Sequence, residues 1–325
     1  MCMRLSVSIQ FALILSSVCL IYHNGLSQPI IEIGMGAGIM KYEGDIGGRS
    51  DQIPDIFLNK TSRSSFAGSV NITYSPIQFL GIRLQGTIGR VQGADSLLSV
   101  VSAAPLIKKT RNLHFRSPVR EASLLIVIHP LSMLFKGPSY QFKFSPFLMA
   151  GGGLFGFNPR GFYRGASGEK GWIDLKPLRT EGQGMATQPG SIPYQLLAFS
   201  FQAGAGMQYN LSQKLKIGME IIFRKTTTDY LDDAGGKFIE NSAFDQFFGS
   251  GTTMADQAKQ MSNSTAYFNG GTYLPGFQPG NLRGSPAAKD YFYTTMFFLH
   301  YRINKENKWR LLNGKAMQST NCAKF

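Results

Sequence analysis

Apolar and polar residues alternate from Phe66 to Val91, break at Ser75-Pro76-Ile77-Gln78, and then alternate again. Successive side chains of a strand point to opposite faces, so Phe66, Val70, Ile72 and Tyr74 share one face of the first arm while Ser69, Asn71 and Thr73 share the other. In the second arm Leu80, Ile82, Leu84 and Ile88 oppose Arg83, Gln85 and Thr87. Each arm has the roughly 10 residues that a tilted strand needs to cross a bilayer. The pattern predicts a membrane-crossing hairpin.

The same period-2 test predicts eight strands, at about 30–42, 66–75, 79–91, 112–128, 143–157, 194–209, 214–228 and 289–303. The sixth sets Leu197, Phe199, Phe201, Ala203, Ala205 and Met207 against Ser200, Gln202, Gly204, Gly206 and Gln208. In the seventh, Leu215, Ile217, Met219, Ile221 and Phe223 oppose Lys216, Gly218, Glu220 and Arg224. The fourth, fifth and eighth carry apolar residues at both parities, and alternation leaves their faces unassigned. The connections 76–78, 129–142 and 210–213 are shorter than 43–65, 92–111, 158–193 and 229–288, and the two kinds take turns. Outer-membrane barrels have short periplasmic turns and long outer loops. The expected fold is therefore all-β: an eight-stranded antiparallel transmembrane β-barrel with both chain ends in the periplasm. The stretch 231–289 shows no clear periodicity and is long enough to demand a function or disorder.

A hydrophobic content of 43% and a mean hydropathy of −0.07 would by themselves suit a soluble protein. A barrel has the same average, because lipid-facing and lumen-facing residues alternate. No stretch after residue 28 approaches the roughly 18 apolar residues of a helical span, which excludes a helical membrane protein. The 37 Gly suit a tightly curved sheet, and 25 Phe with 13 Tyr suit interfacial aromatic girdles.

Arg4, the apolar run from Phe11 to Tyr22 and the small-residue site Gly25-Leu26-Ser27 predict a signal peptide over residues 1–27, cleaved before Gln28. The barrel then occupies 28–303, and a basic periplasmic tail, 304–325, carries Lys305, Lys308, Arg310, Lys315 and Lys324. Cleavage removes Cys2 and Cys19 and leaves Cys322, so no intramolecular disulfide is expected. His23, His114, His129 and His300 are scattered with no zinc-type spacing, and no metal or cofactor is expected. The net charge of +14, about +13 without Arg4, favours anionic lipid headgroups or an acidic protein surface. There is no recognition helix or RNP-like aromatic motif, so nucleic acid is not expected.

Side chains fill the interior of an eight-stranded barrel. Glu32, Arg83, Lys216, Glu220 and Arg224 are therefore expected to face inward as a structural charge network rather than an ion path, with no open pore. A lipid hydrolase would need a nucleophile beside His and an acid, which brings up His114, Ser117 and Glu121. On a regular strand His114 points away from the other two, unless Ser117-Pro118 forms a bulge, so no enzyme activity is expected. Asp229, Asp232 and Asp233 beside Gly235-Gly236 lack EF-hand spacing, and a turn in which the carboxylates cap backbone amides is expected instead of a calcium loop.

Five segments also occur together: Tyr42-Glu43-Gly44-Asp45, Arg111 through Pro118, Phe155 through Pro159, Leu178 through Gly184, and Arg224 through Asp233. In that order, over about residues 31–303, the chain resembles the PorG-type outer-membrane barrels of Bacteroidetes. The motif positions are Gly44, Asp45, Arg111, Asn112, Arg116, Ser117, Pro118, Glu181, Gly182, Asp229, Tyr230, Asp232 and Asp233. The resemblance implies an eight-stranded outer-membrane barrel of the type IX secretion system, associated with a periplasmic ring of a lipoprotein and its partner. It implies no catalysis, no cofactor and no small-molecule substrate. A competing expectation is a surface-binding barrel acting through loops 161–193 and 231–289. A third, a lipid-A-modifying enzyme, would change the lipid mass spectrum on overexpression.

Overall fold

A computed structural model describes residues 29–47, 64–97, 103–135, 142–165, 168–286 and 289–303. The expected signal peptide, the basic tail and the three cysteines lie outside these residues. Ten strands are described, numbered in chain order: β1 (Ile30–Glu43), β2 (Ser65–Ile77), β3 (Leu80–Ala94), β4 (His114–Ile128), β5 (Phe144–Phe157), β6 (Arg160–Arg164), β7 (Lys170–Asp174), β8 (Leu197–Asn210), β9 (Leu215–Thr226) and β10 (Tyr291–Arg302). All but β6 and β7 join in one antiparallel ring, closed where β1 meets β10 and β3 meets β4.

Directly opposed partners run from Glu32 through Thr73, Arg83, Leu125, Gly151, Gln202, Arg224 and Phe292, and return to β1 at Tyr42. The circuit closes ten residues further along β1 than it began. Such a stagger is what tilts the strands of a closed barrel, typically by about 35–45°. Ring closure also leaves no unpaired sheet edge, which a bilayer demands.

The exterior is an apolar band. Phe66, Val70, Ile72, Ile82, Leu84, Ile88, Leu124, Ile126, Phe201, Met207 and Phe297 are all exposed, and Phe66 is 76% exposed. Tyr74, Phe144, Tyr209 and Tyr301 ring the short-turn end, a girdle of the kind found at membrane interfaces. With polar side chains turned inward, this is a transmembrane β-barrel.

The lumen is layered, and this resolves the strands whose faces alternation left open. In β4, Phe115, Val119, Leu125 and Val127 point in, while Leu124, Ile126 and Ile128 point out. One apolar cluster gathers Leu125, Val127, Phe147, Met149, Ile222 and Phe298. A second fills the long-loop mouth with Met40, Tyr42, Phe115, Val119, Phe155, Phe292 and Met296. Inward positions are therefore apolar in these layers and polar elsewhere, and the simple alternation fails in the strands that cross both clusters.

Two local features depart from the sequence expectation, and a third bears it out. Strand β2 continues to Ile77, and the pairing shifts between Tyr74 and Ile77, where Pro76 has no N–H to donate, so the turn itself is Gln78-Phe79. The stretch after β5 begins with a hairpin, β6–β7. Val119 opposes Phe157 and Arg116 opposes Arg160, so β6 keeps the register of β5 on β4 across Asn158-Pro159. Pairing across Ser117-Pro118 is regular, with no bulge.

Short helices make up the rest: α1 (Ala103–Arg111), α2 (Pro130–Phe135), α3 (Asn241–Phe248), α4 (Thr253–Ser262) and α5 (Ser264–Phe268). The aperiodic stretch 231–289 thus holds three helices. Thr252 caps α4 by accepting from the Ala255 amide, and Asn263 caps α5 by accepting from Ala266. Apolar side chains of α3 and α4 join the β6–β7 hairpin and the segments beside it in a small core of Tyr163, Leu175, Leu178, Met185, Ile239, Phe244, Ala258 and Met261.

Candidate functional site

Buried charged side chains occupy two places among the described residues, the lumen and the long-loop mouth. In the lumen, Arg83 Nη1 donates to Glu220 Oε2 at 2.8 Å and Lys216 Nζ lies 2.6 Å from Glu32 Oε1. The fifth expected lumen residue, Arg224, pairs with none of the other four; its Nε donates to Glu121 Oε2 at 2.6 Å. Ser200 and Gln202 donate to the other Glu121 oxygen. Glu121 is thus a buried structural partner, with no histidine among its described hydrogen-bond contacts. His114 sits at the rim, where its Nε2 accepts from the Phe162 amide at 3.1 Å. Ser117 Oγ accepts from the Asn158 amide. The three residues weighed for hydrolysis are engaged separately.

The second place is a buried acidic cap where all four long connections meet. Tyr42 Oη lies 2.6 Å from Asp232 Oδ2 and 2.7 Å from Asp290 Oδ1, and it accepts from the Asp45 amide at 3.0 Å. A phenol has one proton to donate. It can serve only one of the two carboxylates, so the other must carry a proton and donate back. Gly44 makes this approach fit, since a Cβ there would collide with Tyr42 Oη.

Asp232 also accepts from the amides of Ile46 and Ala234. The left-handed backbone at Asp233 (φ 68°) turns the next carboxylate elsewhere, where it accepts from Thr180 Oγ1 at 2.6 Å and Tyr194 Oη at 2.7 Å. Arg283 bridges Glu181 and Asp233 and donates to the Asp233 carbonyl. Arg111 holds both oxygens of Asp95 and donates to the carbonyls of Asp45 and Arg283. Tyr230 stacks on Tyr194 with ring centroids 4.6 Å apart.

Burial raises every carboxylate here whose shift is resolved. Asp232 is pushed up to about 7 by burial and by the Asp45 charge. Asp290 is raised well above the usual range by burial and by Asp232. Glu181 reaches about 7 through burial, against the pull of Arg283, and Asp229 about 6, against the pull of Lys289. Among the described residues, no group of three or more His, Cys, Asp or Glu side chains is placed to hold a metal ion. The cap is a proton-sharing lock that pins loop to loop.

Of the motif positions, Gly44, Asp45, Arg111, Glu181, Gly182, Asp229, Tyr230, Asp232 and Asp233 lie in this cap. Asn112 ends α1 in a left-handed conformation (φ 54°), its amide donating to Lys108. Arg116 and Pro118 stand on the barrel exterior. Tyr42, Asp95, Thr180, Tyr194, Arg283 and Asp290 complete the cap; Tyr42 and Thr180 lie within the quoted segments, but the other four had no local signal, and the two carboxylates on Tyr42 lie 190 and 248 residues away in sequence.

No protein-family model and no curated protein matches the chain. Among solved structures it is similar to the outer membrane protein OprG from Pseudomonas aeruginosa, with 10% identity over 86% of this chain and 98% of that one and a TM-score of 0.37. It is also similar to a major outer membrane protein from Thermus thermophilus (11% identity, 85% and 100% covered, TM-score 0.36). A third is Ail, the attachment invasion locus protein of Yersinia pestis, solved with the heparin analogue sucrose octasulfate (11% identity, 85% and 97% covered, TM-score 0.32). The fold assignment rests on the closed ring and its apolar exterior.

Proposed function

We propose that the chain is a non-enzymatic outer-membrane barrel that anchors or organises a periplasmic ring assembly of the type IX secretion system. The observation that carries this reading is the contrast between the two barrel ends. The long-loop end is sealed by the cap and its own small core, and the lumen beneath is filled by ion pairs and aromatic layers. At the short-turn end, α2 replaces a tight turn and leaves Met133, Leu134 and Phe135 exposed, Leu134 by 72%. Exposed apolar clusters of this kind mark contact with a partner or a membrane. The resemblance of the motif segments to the PorG-type barrels supports a periplasmic lipoprotein ring as the partner.

The test replaces Met133, Leu134 and Phe135 together with serine and compares ring recovery on purification and type IX cargo in the medium. Loss of both, with the barrel folded in the outer membrane, is expected. Unchanged recovery and secretion would overturn the reading. The ordered helices of 241–268 favour one alternative, a barrel that binds an external ligand through its loops. In that case trimming α3 to α5 abolishes binding and spares secretion.

A further inference from the structure

One exterior face differs from the rest. On β3 and β4 the outward apolar run ends at Ile88 and Ala122, and arginines begin at once: Arg120 opposite Ile88, Arg90 opposite Pro118, and Arg116 opposite Gln92. Arg160 opposes Arg116 from β6 and is paired with Asp174 at 2.6 Å. Among the described residues no carboxylate pairs with Arg90, Arg116 or Arg120. Three guanidiniums on adjacent and diagonal strand positions repel one another and present forked donors suited to phosphate.

Below the arginines, the outward glycines Gly68 and Gly86 leave a shallow groove of about 360 Å³ between Val70 and Ile88, with Arg120 at its end. Above them, on the same face, a pocket of about 400 Å³ opens between Gln92, His114, Phe162, Trp172 and Gln260. Trp172 is 37% exposed, with the Arg116 guanidinium 4.0 Å from its ring centroid. Aromatic faces beside the Gln92 amide suit a sugar ring with its hydroxyls, while Gln260 is held in the pocket wall by both ends of its amide, on the Arg164 backbone. From Gly86 to Gln92 the chain advances roughly 20 Å along the strand, at about 3.3 Å per residue. Apolar groove, cationic row and aromatic pocket therefore lie in sequence along one line.

We propose that this face binds a phosphorylated, acylated sugar of the outer leaflet. An acyl chain lies over Gly68 and Gly86, a phosphate is held by Arg90, Arg116 and Arg120, and the sugar rests against Trp172 and Phe162. Such a lipid would fix the barrel's height and rotation in the membrane at its long-loop end. The proposal rests on the outer-membrane placement above, and membrane fractionation reports that placement separately.

The full-length protein, folded in detergent as shown by heat-modifiable gel mobility, is titrated with a diphosphorylated, acylated glucosamine disaccharide. The same lipid stripped of phosphate, phosphatidylglycerol and inorganic phosphate are the comparison arms. The expected result is at least tenfold tighter binding of the phosphorylated glycolipid than of any other arm. The triple variant R90A/R116A/R120A should weaken it tenfold or more. W172A should weaken the glycolipid and leave phosphatidylglycerol unchanged, and W172F should restore it. Equal binding of the stripped lipid, of phosphatidylglycerol or of inorganic phosphate, or an unaffected triple variant, would overturn the proposal.

Discussion

Arg224 and Glu121 meet at 2.6 Å inside the barrel, both side chains fully buried, from strands that are not neighbours in the ring. The pair ties β4 to β9 across the lumen, while Arg224 Nη1 also donates to Thr294 on β10. Removing one member of a buried pair leaves an uncompensated charge, at a cost of about 3–5 kcal/mol. Glu121→Ala is expected to lower unfolding stability by that amount in urea titrations of the barrel in lipid vesicles. A double replacement by Met and Leu should recover most of it. A stability loss under about 1 kcal/mol for the single variant would show that water reaches the site.

Tyr42→Phe removes the hydroxyl that Asp232 and Asp290 share. A buried polar group left unsatisfied costs about 1–3 kcal/mol, and the loss should be local to the cap. Hydrogen exchange is expected to speed up around residues 230–235 while β8 and β9 stay protected. Uniform acceleration through the strands would show that the cap and barrel open as one unit.

The same carboxylates make the cap sensitive to pH. A carboxylate raised above its unfolded value of about 4 stabilises the folded state fully below that value and loses its contribution as pH rises through the folded pKa. With Asp232 and Glu181 at about 7, the loss runs from about pH 4 to about pH 7 and is complete above it. Protease nicking of the long loops should increase from about pH 5 to about pH 7 in detergent and level off above that. A cap that tightens over that range would contradict the shared proton.

A filled lumen conducts no ions. Planar-bilayer recordings of the folded barrel should show no discrete channel steps. Arg83→Ala with Glu220→Ala should fail to open one too, because Phe147, Met149 and Phe298 still close the section. Steady unitary conductance from the wild-type protein would refute the packed interior.

The strands were legible because a bilayer imposes the alternation that Phe66 through Ile88 displays. The inward set Ser200, Gln202 and Gln208 followed for the same reason. The β6–β7 hairpin escaped because Pro159 and Asn158 read as a loop, although the register on β4 carries through them. The helices of 241–268 escaped because they are short and pack on loop residues rather than on a long periodic face. The cap was legible only in fragments. Asp232 and Asp233 stand out beside their glycines, but their partners Tyr42, Tyr194 and Arg283 come from other connections, and only folding of the ring brings those together.

If the short-turn end meets a periplasmic assembly while the capped end does not, the two ends must differ in what they touch in the cell. Photo-crosslinking from Leu134 and from Phe247, in cells with the secretion system intact, reads that difference, since both residues are exposed on the described surface. Adducts with the periplasmic ring lipoprotein or its partner are expected from Leu134 and none from Phe247. Adducts with ring components from Phe247 alone, with Leu134 silent, would contradict a docking face at the short-turn end.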